Sequence, residues 1–307
     1  MFHHRPYRMA AIQMRAGPEP DVNVDHAVEL LHRAHEGGAH VAALPELFRT
    51  QYFCQREDHA MFELAEPIPG PTTERLMGVA AETKMAILAP IFERRAAGVY
   101  HNSVAAINGH GTIVGIYRKM HIPDDPLYYE KFYFAPGDLG FRSFDLGIGR
   151  LGVLICWDQW YPEAARLTTL TGAELLVYPT AIGWHPGEKA EFGDAQIDAW
   201  TTVQRAHAIA NGVYVVAPNR VGLEHGDVRG DRVEGPGIEF WGSSFICDPF
   251  GRILARAGTV DEEILFAEIR PHEVERTRQH WPFLRDRRVD AYGGITQRFL
   301  HEDTAGR

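Results

Sequence analysis

Three residues of complementary chemistry follow three apolar segments of the chain. Glu46 comes at the end of HVAALPEL, Lys119 at the end of TIVGIYRKM, and Cys156 at the end of LGVLIC. Taken singly, each has an ordinary interpretation, because a free cysteine packs as a small hydrophobe and a charged residue often marks a solvated strand end. Open α/β sheets bind ligands at the carboxyl ends of their strands, however. Three such residues at three strand ends predict one site.

The three side chains together suit acyl transfer. A carboxylate beside a thiol can accept the thiol proton and later return it to a leaving amine. An ammonium beside both keeps the carboxylate ionised, lowers the pKa of the thiol and donates hydrogen bonds to an oxyanion. The usual partner of a catalytic cysteine is histidine, but none of the 16 histidines lies in a comparable strand-end context. Glu46, Lys119 and Cys156 therefore predict chemistry that requires no metal and no cofactor.

Composition narrows the classes of function. The 307 residues carry a formal net charge of −10, which argues against nucleic acid as a partner and mildly favours a cationic or neutral small molecule. No apolar run approaches the ~20 residues that span a bilayer, so we expect no membrane partner. The segment MFHHRPYRMA lacks the apolar stretch of a secretory signal. The three cysteines form neither a disulfide framework nor a zinc motif, and a cytoplasmic location is expected.

Hydrophobic periodicity predicts strands that alternate with helices, interrupted by hairpins. This pattern is typical of an α/β fold with mixed sheets in one domain, residues 1–307. An amphipathic helix is predicted over 21–39, with Asp21 or Asn23 as its N-cap. A second long helix is predicted over 194–212, for which Asp194 is a candidate N-cap, followed by one strand over 213–222. Residues 282–307 show little periodicity and are expected to form a C-terminal tail.

The three segments PEL (45–47), YRKMHIP (117–123) and LICWDQWYPE (154–163) resemble the signature segments of the nitrilase superfamily of carbon–nitrogen hydrolases. The segments NRVG, FWGSSFICDPFG and RDRR extend the resemblance over nearly the whole chain. It implies a four-layer αββα sandwich of mixed sheets that pairs into homo-oligomers, dimers or larger. The aromatic and arginine-rich stretch 281–300 is a candidate subunit contact.

The resemblance also implies residue roles. Glu46 matches the general base, Lys119 the group that stabilises the intermediate, and Cys156 the nucleophile that forms a thioester. Glu130, in YYEKFYFAPGD, matches a second glutamate near the lysine and the cysteine. The backbone amide of Trp157 is expected to join Lys119 in binding the oxyanion.

The residues after the cysteine bear on the substrate. Asp158, Gln159 and Trp160 replace the arginine or histidine that binds a substrate carboxylate in relatives acting on N-carbamoyl amino acids. The segments HIPDDPLYYEKFYFAPGD, CWDQWYPEAARL and HWPFLRDRRVD look most similar to members that hydrolyse N-carbamoylputrescine, an ammonium-bearing compound of polyamine synthesis. This resemblance predicts a carboxylate at the far end of the pocket and apolar or aromatic walls.

The segment AIGWHPGEKAEFGDAQ (181–196) supplies several candidate substrate-binding residues. We expect the ammonium-selecting carboxylate to be Glu191 or Asp194, then Glu188, with Asp124 or Asp125 next. The remaining candidates for substrate binding are Tyr52 and Trp184.

Two other functions remain open. The chain could hydrolyse another linear amide or ureido compound, as an aliphatic amidase, ureidopropionase or N-carbamoyl-amino-acid hydrolase does. It could also be a catalytically silent binding protein on the same fold, although the presence of all three of Glu46, Lys119 and Cys156 argues against that. Cys54 is a candidate pocket residue as well as a packing residue.

Overall fold

A computed structural model describes residues 5–300, in which two six-stranded sheets pack face to face. The first sheet has the strand order β15-β1-β2-β3-β4-β5. Strand β2 pairs in parallel with β1 and β3, while the other pairs are antiparallel. The strands of this sheet are β1 (Tyr7–Gln13), β2 (Val41–Ala43), β3 (Ala86–Ala96), β4 (Val99–Ile107), β5 (Ile113–Arg118) and β15 (Glu263–Ile269).

The second sheet has the order β14-β13-β10-β8-β7-β6. Its central strand β8 pairs in parallel with β7 and β10, so this sheet is also mixed. A small third sheet contains β9, β11 and β12. The strands of these two sheets are β6 (Ser143–Asp145), β7 (Arg150–Val153), β8 (Leu175–Val177), β9 (Gly183–Trp184), β10 (Tyr214–Ala217), β11 (Val221–Glu224), β12 (Ile238–Trp241), β13 (Phe245–Cys247) and β14 (Ile253–Arg256).

Alternation along the strands separates two layers of core. On β1, Met9 and Ala11 face the second sheet, while Ala10 and Ile12 face the opposite way, as period-2 side chains must. The core between the sheets joins residues of β1 to β5 with residues of β7, β8, β10 and β13. Val, Leu, Ile and Ala predominate at these interior positions, and aromatic residues such as Tyr117 and Phe245 fill others, which accounts for the apolar runs in the sequence.

Helices cover the outer face of each sheet. The apolar faces of α1 and α2 pack on the first sheet, and α4 and α5 contribute Ala164, Ala165, Trp200 and Ala208 to the core around the second. The predicted four-layer αββα arrangement of mixed sheets is confirmed. The helices are α1 (Pro20–Glu36), α2 (Pro71–Thr83), α3 (Glu130–Tyr133), α4 (Pro162–Leu170), α5 (Lys189–Asn211) and α6 (Pro271–His280).

Several predicted boundaries were wrong. Helix α1 begins at Pro20, so neither Asp21 nor Asn23 is its N-cap; the Asn23 side chain instead bonds to the backbone of Gly17. Helix α5 begins at Lys189, which places Asp194 inside the helix rather than at its cap. The predicted strand 213–222 is two strands, β10 and β11, in different sheets.

No helix within residues 5–300 is long and apolar enough to cross a membrane. The predicted tail 282–307 lies only partly within the described residues, and up to residue 300 it contains one short 3-10 turn, Gly293–Thr296.

Candidate active site

Glu46 lies just beyond the carboxyl end of the parallel strand β2, where an open sheet forms its binding sites. Its side chain is completely buried. One carboxylate oxygen, Oε1, accepts hydrogen bonds from Lys119 Nζ and from Asn102 Nδ2, each at 2.7 Å. The other oxygen, Oε2, is buried and has no hydrogen-bond partner among the described residues. Glu46 therefore has one fixed oxygen and one that is free to exchange a proton.

Lys119 follows β5 directly and joins two carboxylates. Its ammonium donates to Glu46 Oε1 at 2.7 Å and to Glu130 Oε2 at 2.6 Å. Burial alone would lower the pKa of Lys119, but Glu130 and Glu46 more than offset that cost and raise the pKa well above its ordinary value. The ammonium remains charged at any physiological pH.

Glu130 begins the short helix α3 and has a partner on each oxygen. Oε2 accepts from Lys119, and Oε1 accepts from the hydroxyl of Tyr52 at 2.7 Å. Burial raises the pKa of Glu130 to about 7, with Glu46 adding to the rise and Lys119 opposing it. One ammonium does not fully compensate the burial of two carboxylates, so part of the Glu130 population holds a proton near neutrality.

Cys156 lies beyond the end of the parallel strand β7, in a 3-10 turn that covers Cys156–Trp160. Its backbone has φ of +40°, a left-handed conformation that a residue with a side chain rarely adopts. The turn is held by the Cys156 amide, which donates to Pro179 O at 2.9 Å. The sulfur lies 3.7 Å from the carbonyl oxygen of Ala181. Backbone strain of this kind persists only where the surroundings enforce it.

The thiol of Cys156 does not show the lowered pKa that was expected from the neighbouring ammonium. Burial raises the pKa well above its ordinary value, Glu46 raises it further, and Lys119 only partly opposes the two. Lys119 lowers the pKa of the thiol, as predicted, but the desolvation of the thiol and the negative charge of Glu46 outweigh its effect. The free site therefore holds a neutral thiol beside a carboxylate.

Asp158 is a site residue whose role the sequence did not predict. Its buried carboxylate accepts from the Ile155 amide at 2.9 Å and from the Tyr117 hydroxyl at 2.8 Å. It also accepts from the His121 amide at 3.0 Å and from His121 Nδ1 at 2.7 Å. Tyr117 and His121 flank Lys119 by two residues on either side. Asp158 thus ties the segment that carries Lys119 to the turn that carries Cys156.

Arg220 is a second residue that was missed. Its buried guanidinium donates to the carbonyl oxygens of Glu46, at 3.1 Å, and of Thr50, at 2.7 Å, and also to Leu47 O. It is paired with Glu224 at 2.6 Å. Leu47 has φ of +50°, so the turn after Glu46 is strained like the turn at Cys156. Arg220 holds this turn in place.

A cavity of about 450 Å³ opens from Cys156 and Glu130 to the surface. The sulfur of Cys156 and the carboxylate of Glu130 lie at its buried end, and the exposed acids Asp125 and Glu188 lie at its mouth. No lysine or arginine is among its described lining residues. The lining residues are Pro123, Asp125, Pro126, Tyr128, Glu130, Cys156, Trp157, Trp160, Ala181, Ile182, Gly183, His185, Glu188, Gln196, Ala199 and Trp241.

The structure brings only some of the predicted residues to this cavity. Glu188 and Trp157 line it, but Glu191 and Asp194 are exposed on α5 outside it, so the preference for them over Glu188 is corrected. Tyr52 is buried behind Glu130, and Trp184 is buried against Gly193.

Neither Tyr52 nor Trp184 lines the cavity, but each contacts a residue that does, Tyr52 through Glu130 and Trp184 through Trp241. Cys54 is also away from it, in an apolar cluster with Phe53.

The arrangement can carry out proton transfer at a carbonyl centre. The thiol of Cys156 and the carboxylate of Glu130 line the closed end of a largely apolar cavity. Lys119 and Glu46 lie behind them, where the ammonium of Lys119 contacts both carboxylates and both groups act electrostatically on the thiol. Such an ammonium can stabilise the negative charge that develops on a carbonyl oxygen under attack. Within residues 5–300, no group of three or more His, Cys, Asp or Glu side chains is arranged to hold a metal ion.

Comparison with known proteins agrees with this geometry. The family model described as carbon–nitrogen hydrolase matches residues 8–279. The chain is 44% identical to an N-carbamoylputrescine amidase of Oryza sativa subsp. japonica over 92% of both chains, and 36% identical to a citrullinase of Francisella tularensis over 95% and 99%. A crystal structure of a carbon–nitrogen hydrolase from Helicobacter pylori G27 superposes with a TM-score of 0.91 at 43% identity, covering 96% of this chain and all of that one. The chain therefore belongs to the carbon–nitrogen hydrolases of the nitrilase superfamily.

Proposed function

We propose that this enzyme hydrolyses N-carbamoylputrescine to putrescine, carbon dioxide and ammonia, with Cys156 as nucleophile. The observation that carries the proposal is the charge pattern of the cavity, with reacting groups at its buried end and the acids Glu188 and Asp125 at its mouth. A linear substrate with a ureido group at one end and an ammonium at the other matches this pattern. The names of the plant relatives at 42–44% identity support the same substrate.

The first half of the reaction forms a covalent intermediate. The sulfur of Cys156 attacks the ureido carbon while Glu46 Oε2 takes the thiol proton, so no thiolate has to exist beforehand. The carbonyl oxygen becomes an oxyanion that Lys119 Nζ and the amide of Trp157 stabilise. The tetrahedral intermediate collapses as the bond to the terminal nitrogen breaks. Glu46 returns its proton to that nitrogen, and ammonia leaves a thioester of the N-alkylcarbamoyl group on Cys156.

The second half reverses these roles with water. Glu46 Oε2 takes a proton from water, and the resulting hydroxide adds to the thioester carbon. The bond between carbon and sulfur then breaks, and the sulfur recovers its proton from Glu46. The product is an N-alkylcarbamic acid, which loses carbon dioxide to give putrescine.

Substrate recognition at the mouth of the cavity is electrostatic. The carboxylate of Glu188 is oriented by Gln196, whose Nε2 donates to Oε2 at 3.0 Å. The aromatic rings of Tyr128, Trp157 and Trp160 line the walls, where a four-carbon chain can pack. A terminal ammonium there finds carboxylates, whereas a substrate carboxylate finds no lysine or arginine among the described lining residues.

A pair of substrates tests the proposal directly. Citrulline differs from N-carbamoylputrescine by one additional carboxylate, so their relative kcat/KM reports the charge preference of the mouth. We expect kcat/KM for N-carbamoylputrescine to exceed that for citrulline by at least about 100-fold, or about 2.7 kcal/mol. Butylurea, which lacks the ammonium, should have a higher KM than N-carbamoylputrescine.

Glu188→Gln and Glu191→Gln form the matched pair of variants. Both remove a charge from the same stretch, but only Glu188 lines the cavity. We expect Glu188→Gln to raise KM for N-carbamoylputrescine by about tenfold or more while butylurea is unaffected, and Glu191→Gln to change neither. A wild-type preference for citrulline would overturn the polyamine substrate.

We propose further that residues 1–307 form one domain and that the enzyme is a cytoplasmic homo-oligomer. The pairing of β1 with β15 supports a single domain, because it joins the two ends of the described chain.

Three free, buried cysteines are typical of a reducing compartment. The exposed rings of Phe283 and Phe299, and that of Trp281 just before them, support a subunit contact in the tail 282–307. Light scattering of the wild type and of a Phe283→Ser variant tests this contact.

A further inference from the structure

Asn102 connects the two charged groups that the proposed mechanism uses most. It lies on β4 and is completely buried. Its side-chain nitrogen Nδ2 donates to Glu46 Oε1 at 2.7 Å, and its backbone oxygen accepts from the Lys119 amide at 2.8 Å. One residue therefore fixes both the carboxylate of Glu46 and the backbone of Lys119.

The chemistry of the contact determines its direction. An ionised carboxylate only accepts hydrogen bonds, so the atom of Asn102 that faces Glu46 must be the NH₂ nitrogen. The other amide atom, Oδ1, is buried without a hydrogen-bond partner among the described residues. A buried polar atom left unpaired costs free energy. Packing alone does not account for an asparagine here, since an apolar residue of similar size would avoid that cost.

The contact from Asn102 determines which oxygen of Glu46 remains free. Asn102 and Lys119 both donate to Oε1, and Oε2 has no partner among the described residues. We propose that Asn102 is a positioning residue that fixes Oε1 as the anchored oxygen of Glu46 and leaves Oε2 to transfer protons. This rests on the proposed role of Glu46 as the proton acceptor.

A neutral donor is the suitable group at this position. Lys119 already has to balance Glu46 and Glu130, both of which it contacts. An aspartate in place of Asn102 would add a third negative charge to the buried cluster, and a second cation would weaken the basicity of Glu46. An amide orients the carboxylate without changing the net charge.

Asn102→Leu tests the proposal, since leucine has a similar size but no donor. We expect kcat to fall about 10- to 100-fold while KM changes less than about threefold. The acid limb of the pH profile should move to higher pH, because the lost hydrogen bond had favoured the ionised carboxylate. The matched control is Ser103→Ala, which removes a hydrogen bond of 2.6 Å to Glu93, a different buried glutamate. It should leave the pH profile unchanged.

A second variant and a second readout separate this proposal from the proposed substrate. The rate at which iodoacetamide alkylates Cys156 can be followed against pH without any turnover. We expect its acid limb to move up in Asn102→Leu and further up in Asn102→Asp, which also carries the test if the leucine variant does not fold. A shifted limb in an enzyme that hydrolyses no ureido compound would overturn the substrate and support the role of Asn102. Wild-type kcat and pH profiles in folded Asn102→Leu and Asn102→Asp would overturn the role of Asn102.

Discussion

The hydroxyl of Tyr52 donates to the oxygen of Glu130 that Lys119 leaves free, at a distance of 2.7 Å. Tyr52 is completely buried and its amide donates to Glu224 at 2.7 Å, so its ring is held from both ends. Burial and the neighbouring carboxylates raise the pKa of Tyr52 well above its ordinary value, which keeps the hydroxyl a donor at all working pH values. Glu130 is thereby oriented by two donors that do not titrate.

Tyr52→Phe should therefore impair turnover without changing the shape of the cavity. Loss of the hydroxyl leaves Glu130 Oε1 buried and unpaired, and it removes a contact that lowers the pKa of Glu130. We expect kcat to fall by roughly tenfold, with KM little changed. Steady-state kinetics against pH check this. Tyr133→Phe, which alters a buried tyrosine bonded to the Arg56 carbonyl instead, is the control.

Glu130 makes stability depend on pH in an unusual direction. Its pKa rises from an ordinary 4.5 to about 7 on folding, mainly through burial. Between these values the folded protein binds a proton that the unfolded chain has released, so the free energy of unfolding falls as pH rises. This contribution is complete below about pH 4.5 and is lost as pH passes through about 7.

Glu130→Gln should remove that dependence. Between about pH 5 and about pH 8, the free energy of unfolding of the wild type should fall relative to that of the variant. Denaturant titration at several pH values measures it, with the exposed Glu191→Gln as control. A difference that does not change with pH would show that another member of the cluster holds the proton.

The state of the nucleophile gives a spectroscopic prediction. Because burial and Glu46 raise the pKa of the Cys156 thiol, the free enzyme should contain no thiolate at pH 7. The ultraviolet difference spectrum between wild type and Cys156→Ser should show thiolate absorbance only at strongly alkaline pH. Cys156→Ser should fold normally and lose nearly all turnover. A thiolate band at pH 7 would contradict the coupled proton transfer to Glu46.

Asp158→Asn tests the connection between the two turns. An asparagine keeps the shape of the side chain but turns a donor toward groups that are themselves donors, among them the Ile155 amide and the Tyr117 hydroxyl. We expect a loss of about 1–3 kcal/mol in unfolding free energy and a fall in kcat of about 10-fold or more. Tyr117→Phe removes one of these donors and should have a smaller effect. The control is Asp194→Asn, which lies exposed on α5.

The sequence predicted the site where strand ends are visible in it. Glu46, Lys119 and Cys156 each follow an apolar run that the structure shows as a strand, β2, β5 or β7. Alternating helical and strand periodicities predicted a mixed sheet covered by helices, whereas the four-layer order came from the resemblance to the nitrilase superfamily. Periodicity reports which face of an element is buried, and polar residues that end a buried strand stand out against it.

The supporting residues could not be found in this way. Asn102 lies inside a buried strand and Arg220 between two strands, and each looks like an isolated polar residue in its segment. Their function depends on contacts with Glu46, 56 and 174 positions away in the chain. The positions of the acids in 188–194 were not predictable, because α5 begins five residues earlier than predicted; Glu188 lines the cavity, whereas Glu191 and Asp194 lie on the helix outside it.

The hydrogen bonds from Arg220 to the turn after Glu46 also bear on when the chain can become active during its synthesis. The turn after Glu46 is strained at Leu47, and its carbonyls are held by a guanidinium that the ribosome adds 174 positions later. A nascent chain that has emerged only as far as Cys156 has all three reactive side chains but lacks the group that fixes the base. We therefore expect no hydrolytic competence in a nascent chain until residue 220 has left the ribosome and Arg220 has reached this turn.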